Sequence, residues 1–247
     1  MTTTIAAHAK LTLTLAVVGV RPDGYHLIDA EMVGLDLADE LTLTDADTTS
    51  ITVTGPYANG VPTDHTNLCA KATALLNRHA HIVIDKRIPH GGGLGGGSTD
   101  AAAVMRWAGI DHTDVAVQLG ADVAFCLHGG RARVTGIGEI IEPLPYIERV
   151  VTLIVPPLHV STPAVYRAWD ALGGPTGEGP NDLEPAALHV EPQLGYWKSR
   201  IAECAGITPT LAGSGATWFV DGQRDDALAE LIDEGAAVRV ARTIERW

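Results

Sequence analysis

Positive charge is what this 247-residue chain lacks most. Its 17 lysines and arginines face 30 aspartates and glutamates, a net charge of −13, so no basic stripe exists to displace counterions from a nucleic acid or to hold an anionic membrane surface. Those partner classes are set aside, and any cation the chemistry needs must be placed singly. Cysteine is scarce too. Cys69, Cys126 and Cys204 are odd in number, distant in sequence and in no metal-ligand spacing, which leaves neither a disulfide framework nor a zinc cage and fits reduced, buried thiols. Long apolar runs are missing as well: Lys10 and several threonines interrupt the only candidate near the start, and Met1 to Thr4 carry no basic residue. Neither a signal peptide nor a membrane span is expected, and a cytoplasmic location is. Internal repeats and low-complexity tails are also absent. What remains is a globular chain whose 46% apolar residues suffice for one large or two small cores.

Glycine, by contrast, is concentrated. The run His90 to Ala103, HGGGLGGGSTDAAA, sets six glycines around Leu94, a backbone free to take positive φ and to approach a ligand closely. HIVIDKRIP (81–89) alternates like a strand running into it. Ser98, Thr99 and Asp100 are good caps for the alanine-rich helix that follows. A loop ending at a helix N-terminus gathers N–H groups and dipole at one spot, which favours phosphate. A flexible linker would be Ser-rich and would lack both flanking elements. Gly92 to Thr99 matches the P-loop pattern except that Ser98 replaces the phosphate-reaching lysine, so that reading fails. Gly91, Gly93 and Gly96 satisfy GxGxxG, but Pro89 separates them from the strand and no acidic residue on a second strand follows.

Elsewhere the pattern is of mixed α+β type. Residues 5–18 alternate, with Leu11, Leu13 and Leu15 expected on one face and Lys10, Thr12 and Thr14 on the other. Arg21 to His26, RPDGYH, is a turn between strand-like runs, followed by expected strands at Ile28 to Leu37, Leu41 to Leu43 and Ile51 to Thr54. Asn67 to Arg78 reads as a helix that Thr66 or Asn67 can cap. Asp122 stands alone in the apolar run LGADVAFCLHGG (119–130), where burial penalises a carboxylate unless it is paired or used. Structural pairing and catalysis are both open for it. The pattern restarts at VVTLIVPP (150–157), which places a module boundary at about residue 148. GGPTGEGP (173–180) is a surface loop, Glu191 to Ala205 and Ala227 to Glu234 read as helices, LAGSGAT (211–217) turns into a strand, and Val238 to Thr243 closes as another.

AAHAKLTLTL, RPDGYH, HIVIDKRIPHGGGLGGGSTDAAA, LGADVAFCLHGG with GIGEIIEPL, and LAGSGAT occur in an order and spacing that resembles the 4-diphosphocytidyl-2-C-methyl-D-erythritol kinases. These are a branch of the galactokinase, homoserine kinase, mevalonate kinase and phosphomevalonate kinase superfamily, and the likeness spans nearly the whole chain. The resemblance implies two domains: residues 1–148 with a ribosomal-protein-S5-domain-2-like fold and residues 149–247 with a ferredoxin-like fold. It implies transfer of the ATP γ-phosphoryl group to the 2-hydroxyl of a cytidine diphosphate-linked polyol in non-mevalonate isoprenoid precursor synthesis. Lys10 and Asp122 would then be the catalytic pair. Asn67, Lys86, Gly91, Gly92, Gly93, Leu94, Gly95, Gly96, Gly97, Ser98 and Thr99 would hold ATP. Thr12, Tyr25, His26, Thr162, Tyr166, Gly213 and Ser214 would face the substrate, with Tyr25, His26 and Tyr166 on its cytidine. Mg2+ would come in on the ATP phosphates, with Ser98 as the side chain within reach. A small-molecule substrate and a monomer or weak homodimer are expected.

The chain departs from the family pattern at Thr12, where an asparagine is usual, at Ala212, where Ser or Thr is frequent, and in shortened stretches after Met105 and Trp169. Phosphoryl transfer asks mainly for positioning and charge stabilisation, which an ionised carboxylate beside a lysine supplies, and aromatic faces suit a pyrimidine. A superfamily kinase for another small alcohol and a non-catalytic nucleotide-binding relative are the alternatives. Thr12 and the short loops speak for the first of these; Lys10 together with Asp122 speaks against the second.

Overall fold

The computed structural model describes residues 1–89, 91–175 and 179–246. His90 and residues 176–178 of the expected surface loop lie outside the described residues. Strands β1 (Thr2–Val20) and β2 (His26–Asp45) form a long antiparallel hairpin. Its tip is closed by bonds from Arg21 N to Tyr25 O (2.7 Å) and from Gly24 N to Arg21 O (2.9 Å). Then follow β3 (Ser50–Thr54), α1 (Leu68–Leu75), β4 (Ala80–Asp85), α2 (Gly96–Trp107), α3 (Thr113–Ala116), α4 (Ala121–His128), β5 (Arg131–Gly136) and β6 (Ile140–Pro143). β2 organises this first sheet. One edge pairs with β1, and the other pairs with β5 through residues 28–33 and with β4 through residues 40–45, while β3 and β6 complete the ends.

A second sheet holds β7 (Val150–Val155), β8 (Thr210–Leu211), β9 (Trp218–Asp221) and β10 (Ala237–Arg242), with α5 (Thr162–Ala171), α6 (Glu184–Val190), α7 (Gln193–Ala205) and α8 (Glu230–Asp233) between them. All its pairings are antiparallel and its order is β10-β7-β9-β8. Counted within the sheet that is 4-1-3-2, the ferredoxin-like arrangement. The two sheets share a core: Leu11, Leu13, Val33 and Leu35 of the hairpin pack with Val151, Leu153, Val155 and Phe219 across from them.

Four expectations need correction. Leu15 does not face with Leu11 and Leu13. The register of β1 on β2 shifts between Thr12 and Thr14, so the extra residue reverses the alternation, and Leu15 joins the helix-covered core while Leu11 and Leu13 stay between the sheets. The two strands expected over 28–43 are one, because Asp39, which looks like a break, is buried with partners for both its oxygens. α2 begins at Gly96 rather than after Ser98 to Asp100. Its cap is Gly95 at φ 73°, a left-handed conformation that dispenses with a capping side chain. The last helix is only Glu230–Asp233.

The outer edge of β1 is covered in pieces. Lys10 N donates to Leu94 O (3.0 Å), Leu15 N to Pro180 O (2.8 Å) and Asp182 N to Leu15 O (2.8 Å), while Val17 N reaches Asp182 Oδ2 (3.0 Å). The glycine loop and residues 180–182 therefore both hang on the strand that carries Lys10, where a bare edge would invite foreign pairing.

Candidate active site

A cleft of about 600 Å³ opens between the hairpin tip, the start of α2, the start of α4, the N-terminal half of α5 and the 212–214 turn. Lys10 and Thr12 lie on its floor. Alternation along β1 places both opposite Leu11, so the inter-sheet core that buries Leu11 aims Lys10 into the cleft. Lys10 Nζ meets Asp122 Oδ2 at 3.3 Å and Thr12 Oγ1 at 3.2 Å. The lysine is nearly enclosed, at 6% side-chain exposure against 40% for the carboxylate. Asp122 sits in the first turn of α4, a favourable end for a negative charge. Gly138, at φ 114°, packs on that turn: a Cβ there would stand 2.7 Å from Ala121 Cβ. The sequence left pairing and use of Asp122 both open; the geometry supplies the pairing and leaves the carboxylate accessible.

The glycine loop divides its tasks. Gly93 and Ser98 line the large cleft. Gly97 lines a neighbouring cavity of about 230 Å³ with Asn67, Lys86 and Asp100, and Leu68 borders both spaces. The N-terminus of α2 thus stands at the junction of the two. Gly92 and Gly93 carry the loop over the 212–217 turn, where a Cβ on Gly92 would lie 2.6 Å from Thr217 Oγ1 and one on Gly215 2.6 Å from Gly92 O. A Cβ on Gly95 would collide with Lys10 Cγ at 2.8 Å, so this glycine is required by the lysine packed behind it. Gly91 borders His159. Leu94 and Thr99 point inward, Leu94 into the inter-sheet core and Thr99 fully buried.

At the adenosine side expected from the sequence, Asn67 caps α1 by accepting from Cys69 N (2.8 Å) and also donates to Pro62 O (2.6 Å). The Lys86 ammonium is committed elsewhere, between Asp39 and Asp100. Burial pulls it down, but the two carboxylates outweigh that and hold it above its ordinary value. Asp100 is pushed up to about 7 by burial, with Lys86 opposing and the Asp39 charge adding.

Tyr25, His26 and Tyr166 line the same cleft. His26 lies against Tyr166 with ring centroids 4.7 Å apart and meets Trp169 edge-on at 5.5 Å. Tyr25 is 59% exposed. Burial, with the Asp122 charge second, pushes the Tyr166 hydroxyl up to about 12, so it stays protonated. Thr162 and Ser214 share a hydrogen bond of 2.7 Å, and Gly213 faces Thr12.

Three contributors escaped the sequence reading. Asp170 Oδ1 bonds His26 Nε2 at 2.8 Å. Asn181 donates to Leu211 O (2.9 Å) and Gly213 O (2.7 Å) and accepts from Leu183 N (3.0 Å), fixing the turn beside Thr12. Asp39 anchors the strand entering the glycine loop. For Asp39 the available signal was an Asp inside a largely apolar stretch, which drew notice only at Asp122; Asn181, in GPNDLEP, offered no such signal.

Among the described residues no three His, Cys, Asp or Glu side chains converge as a metal cage. A half-exposed carboxylate and the Ser98 hydroxyl are donors that suit an ion arriving on nucleotide phosphates, which Mg2+ does when it keeps its waters and takes few protein ligands. No helix of the described residues is long and apolar enough to cross a membrane.

Comparison with known proteins shows the family and the fold. Residues 67–130 match the family model described as the GHMP kinases N terminal domain. A 4-diphosphocytidyl-2-C-methyl-D-erythritol kinase of Paracoccus denitrificans is 39% identical over 234 residues, covering 87% of this chain and 85% of that one. A crystal structure of 4-(cytidine 5'-diphospho)-2C-methyl-D-erythritol kinase superposes with a TM-score of 0.76 at 29% identity, over 98% of this chain and 99% of the other. A homoserine kinase from Cytophaga hutchinsonii, at 17% identity and a TM-score of 0.61 over 97% of this chain and 95% of that one, shares the fold.

Proposed function

This chain belongs to the family of 4-diphosphocytidyl-2-C-methyl-D-erythritol kinases and is an ATP-dependent small-molecule kinase, and we propose that it phosphorylates the 2-hydroxyl of that cytidine diphosphate-linked polyol in non-mevalonate isoprenoid precursor synthesis. The observation that carries the reading is the Lys10–Asp122 pair, 3.3 Å apart on the floor of a cleft. The same cleft is lined by Ser98 in the first turn of α2 and by His26 and Tyr166. Asp122 accepts the proton of the substrate hydroxyl as its oxygen bonds to the γ-phosphorus. The bond from that phosphorus to the β,γ-bridging oxygen breaks, and ADP leaves with the electron pair. Lys10 orients the carboxylate and offsets charge on the transferring group, which asks for stabilisation more than for a strong base. The first-turn N–H groups of Gly96, Gly97 and Ser98 receive the phosphates. Mg2+ would enter on the ATP phosphates, with the Ser98 hydroxyl as a side chain that would help to hold it, and would neutralise phosphate charge. Adenosine takes the smaller cavity beside Asn67, and the cytidine takes Tyr25, His26 and Tyr166, whose flat faces suit a pyrimidine.

The two sheets, with strands drawn from residues 2–143 and 150–242, support a domain division at 148/149. The deciding experiment is ADP release with Mg-ATP against a panel of 4-diphosphocytidyl-methylerythritol, mevalonate, homoserine and galactose. Turnover is expected with the first alone. A preference for one of the others would overturn the substrate assignment.

A further inference from the structure

A buried ionic staple lies beneath the glycine loop, apart from the reacting groups. Asp39 has no exposed surface. Its Oδ1 accepts the backbone N–H groups of Arg87 (2.6 Å) and Ile88 (2.8 Å), and its Oδ2 takes the ammonium of Lys86. The same ammonium reaches Asp100 Oδ2 at 2.8 Å, inside the second turn of α2. Residues 86–88 lead into the loop and α2 leads out of it, so the Lys86 ammonium, held on β2 by Asp39, ties the two ends together through Asp100. Gly96, the first residue of α2, closes against this network: a Cβ there would stand 3.0 Å from Lys86 Nζ and 3.4 Å from Ile88 Cγ2. Burying three charged side chains gains little stability, since apolar residues of similar volume serve a core as well or better. What such a set does supply is a single geometry.

We propose that Asp39 is a positioning residue for nucleotide binding: through Lys86 and Asp100 it fixes the first turn of α2 relative to the strand that enters the glycine loop. The inference rests on the reading of that helix end as the phosphate site. Lys86, on this account, contributes by holding the loop's two ends together, with its own donors turned to carboxylates and away from the nucleotide.

Calorimetric titration of the full chain with Mg-ATP, joined to steady-state kinetics in both substrates, tests it. Asp39→Asn keeps the shape and an acceptor for the backbone but removes the charge opposite Lys86. The Kd and KM for ATP should rise about tenfold or more, in keeping with the cost of small displacements in a preorganised site, while the KM for the second substrate holds. The double variant Asp39→Asn/Lys86→Met should bind ATP no more weakly than the weaker single variant, because both changes open one unit. A folded Asp39→Asn that only melts lower, with its two KM values unmoved or moved together, overturns the proposal. If Asp39→Asn does not accumulate as folded protein, Asp100→Asn leaves the backbone bonds of Asp39 in place and takes over the test. Weakened ATP binding there supports the staple and an unchanged Kd overturns it. Unmutated chain that binds no ATP would refute the phosphate-site reading instead, which keeps the two failures apart.

Discussion

Lys10 is held at three levels: its backbone N–H by Leu94 O, its stem by the close approach of Gly95, and its ammonium by Asp122 and Thr12. A lysine so enclosed has little freedom left to lose on binding, which is how a preorganised charge lowers a barrier without paying for reorganisation. Asp122→Asn keeps the shape and removes the proton acceptor, so kcat should fall by roughly 10²–10⁴-fold. Lys10→Ala should cost a similar factor. The double variant should be only slightly worse than either, because groups that act as a unit are non-additive. Rapid-quench measurement of the chemical step checks this, and two independent losses that multiply would mean that the residues work separately. The pair was legible in the sequence because each residue broke an apolar pattern: Lys10 in a strand, Asp122 alone between Ala121 and Val123. Asp39 breaks a pattern in the same way, yet beside Glu40 it fell in the gap between two expected strands. Only the partner 47 residues away explains it.

At the scale of elements, α1, α2, α7 and most strands were readable from periodicity and caps, whereas α3 to α6 were not marked as helices. Asn67 does cap α1, and the strand at 150–157 does open a new sheet. What escaped was long-range: the irregular register near Thr12 that turns Leu15 toward the cleft, and the residues 180–182 added to the edge of β1. A one-residue slip is invisible to a period-2 count, since the pattern on each side of it stays regular. Asn181 shows the consequence. Its two donated bonds and one accepted bond tie the 212–214 turn to the start of α6, while the backbone of Pro180 and Asp182 on either side of it bonds Leu15 of β1. Asn181→Asp preserves volume but sets a carboxylate against two carbonyls. It should destabilise the fold by roughly 2–4 kcal/mol at neutral pH and raise the KM for the polyol substrate more than that for ATP. Urea unfolding and kinetics read the two effects, and an unaltered unfolding midpoint would show that the turn holds itself.

At the scale of the whole molecule, Asp100 is one internal source of pH-dependent stability, beside half-buried His8 and His128, whose protonation burial disfavours. Asp100 moves from the usual carboxylate value of 3.8 to about 7 on folding, so between those values the folded chain carries a proton that the unfolded chain has released. Stability from this group is therefore greatest below about pH 4 and declines as the pH rises, the loss being complete above about 7. Melting temperatures of the native chain and of Asp100→Asn, compared between pH 5 and 8, should show the variant gaining on the native chain with rising pH; parallel curves would mean that Asp100 is already ionised at pH 5. The shared core of the two sheets sets a further condition, one of timing. The hairpin face of Leu11, Leu13, Val33 and Leu35 is covered by β7, β9 and β10, and Ile244 N closes on Gly34 O at 3.0 Å. At about 5–20 residues per second, synthesis reaches β7 roughly 5–20 s and the end of β10 roughly 10–40 s after the end of the hairpin has been made. During that interval an apolar sheet face waits uncovered on the ribosome, so the yield of folded protein in a cell should depend on chaperones that bind nascent chains far more than the stability of the finished molecule does.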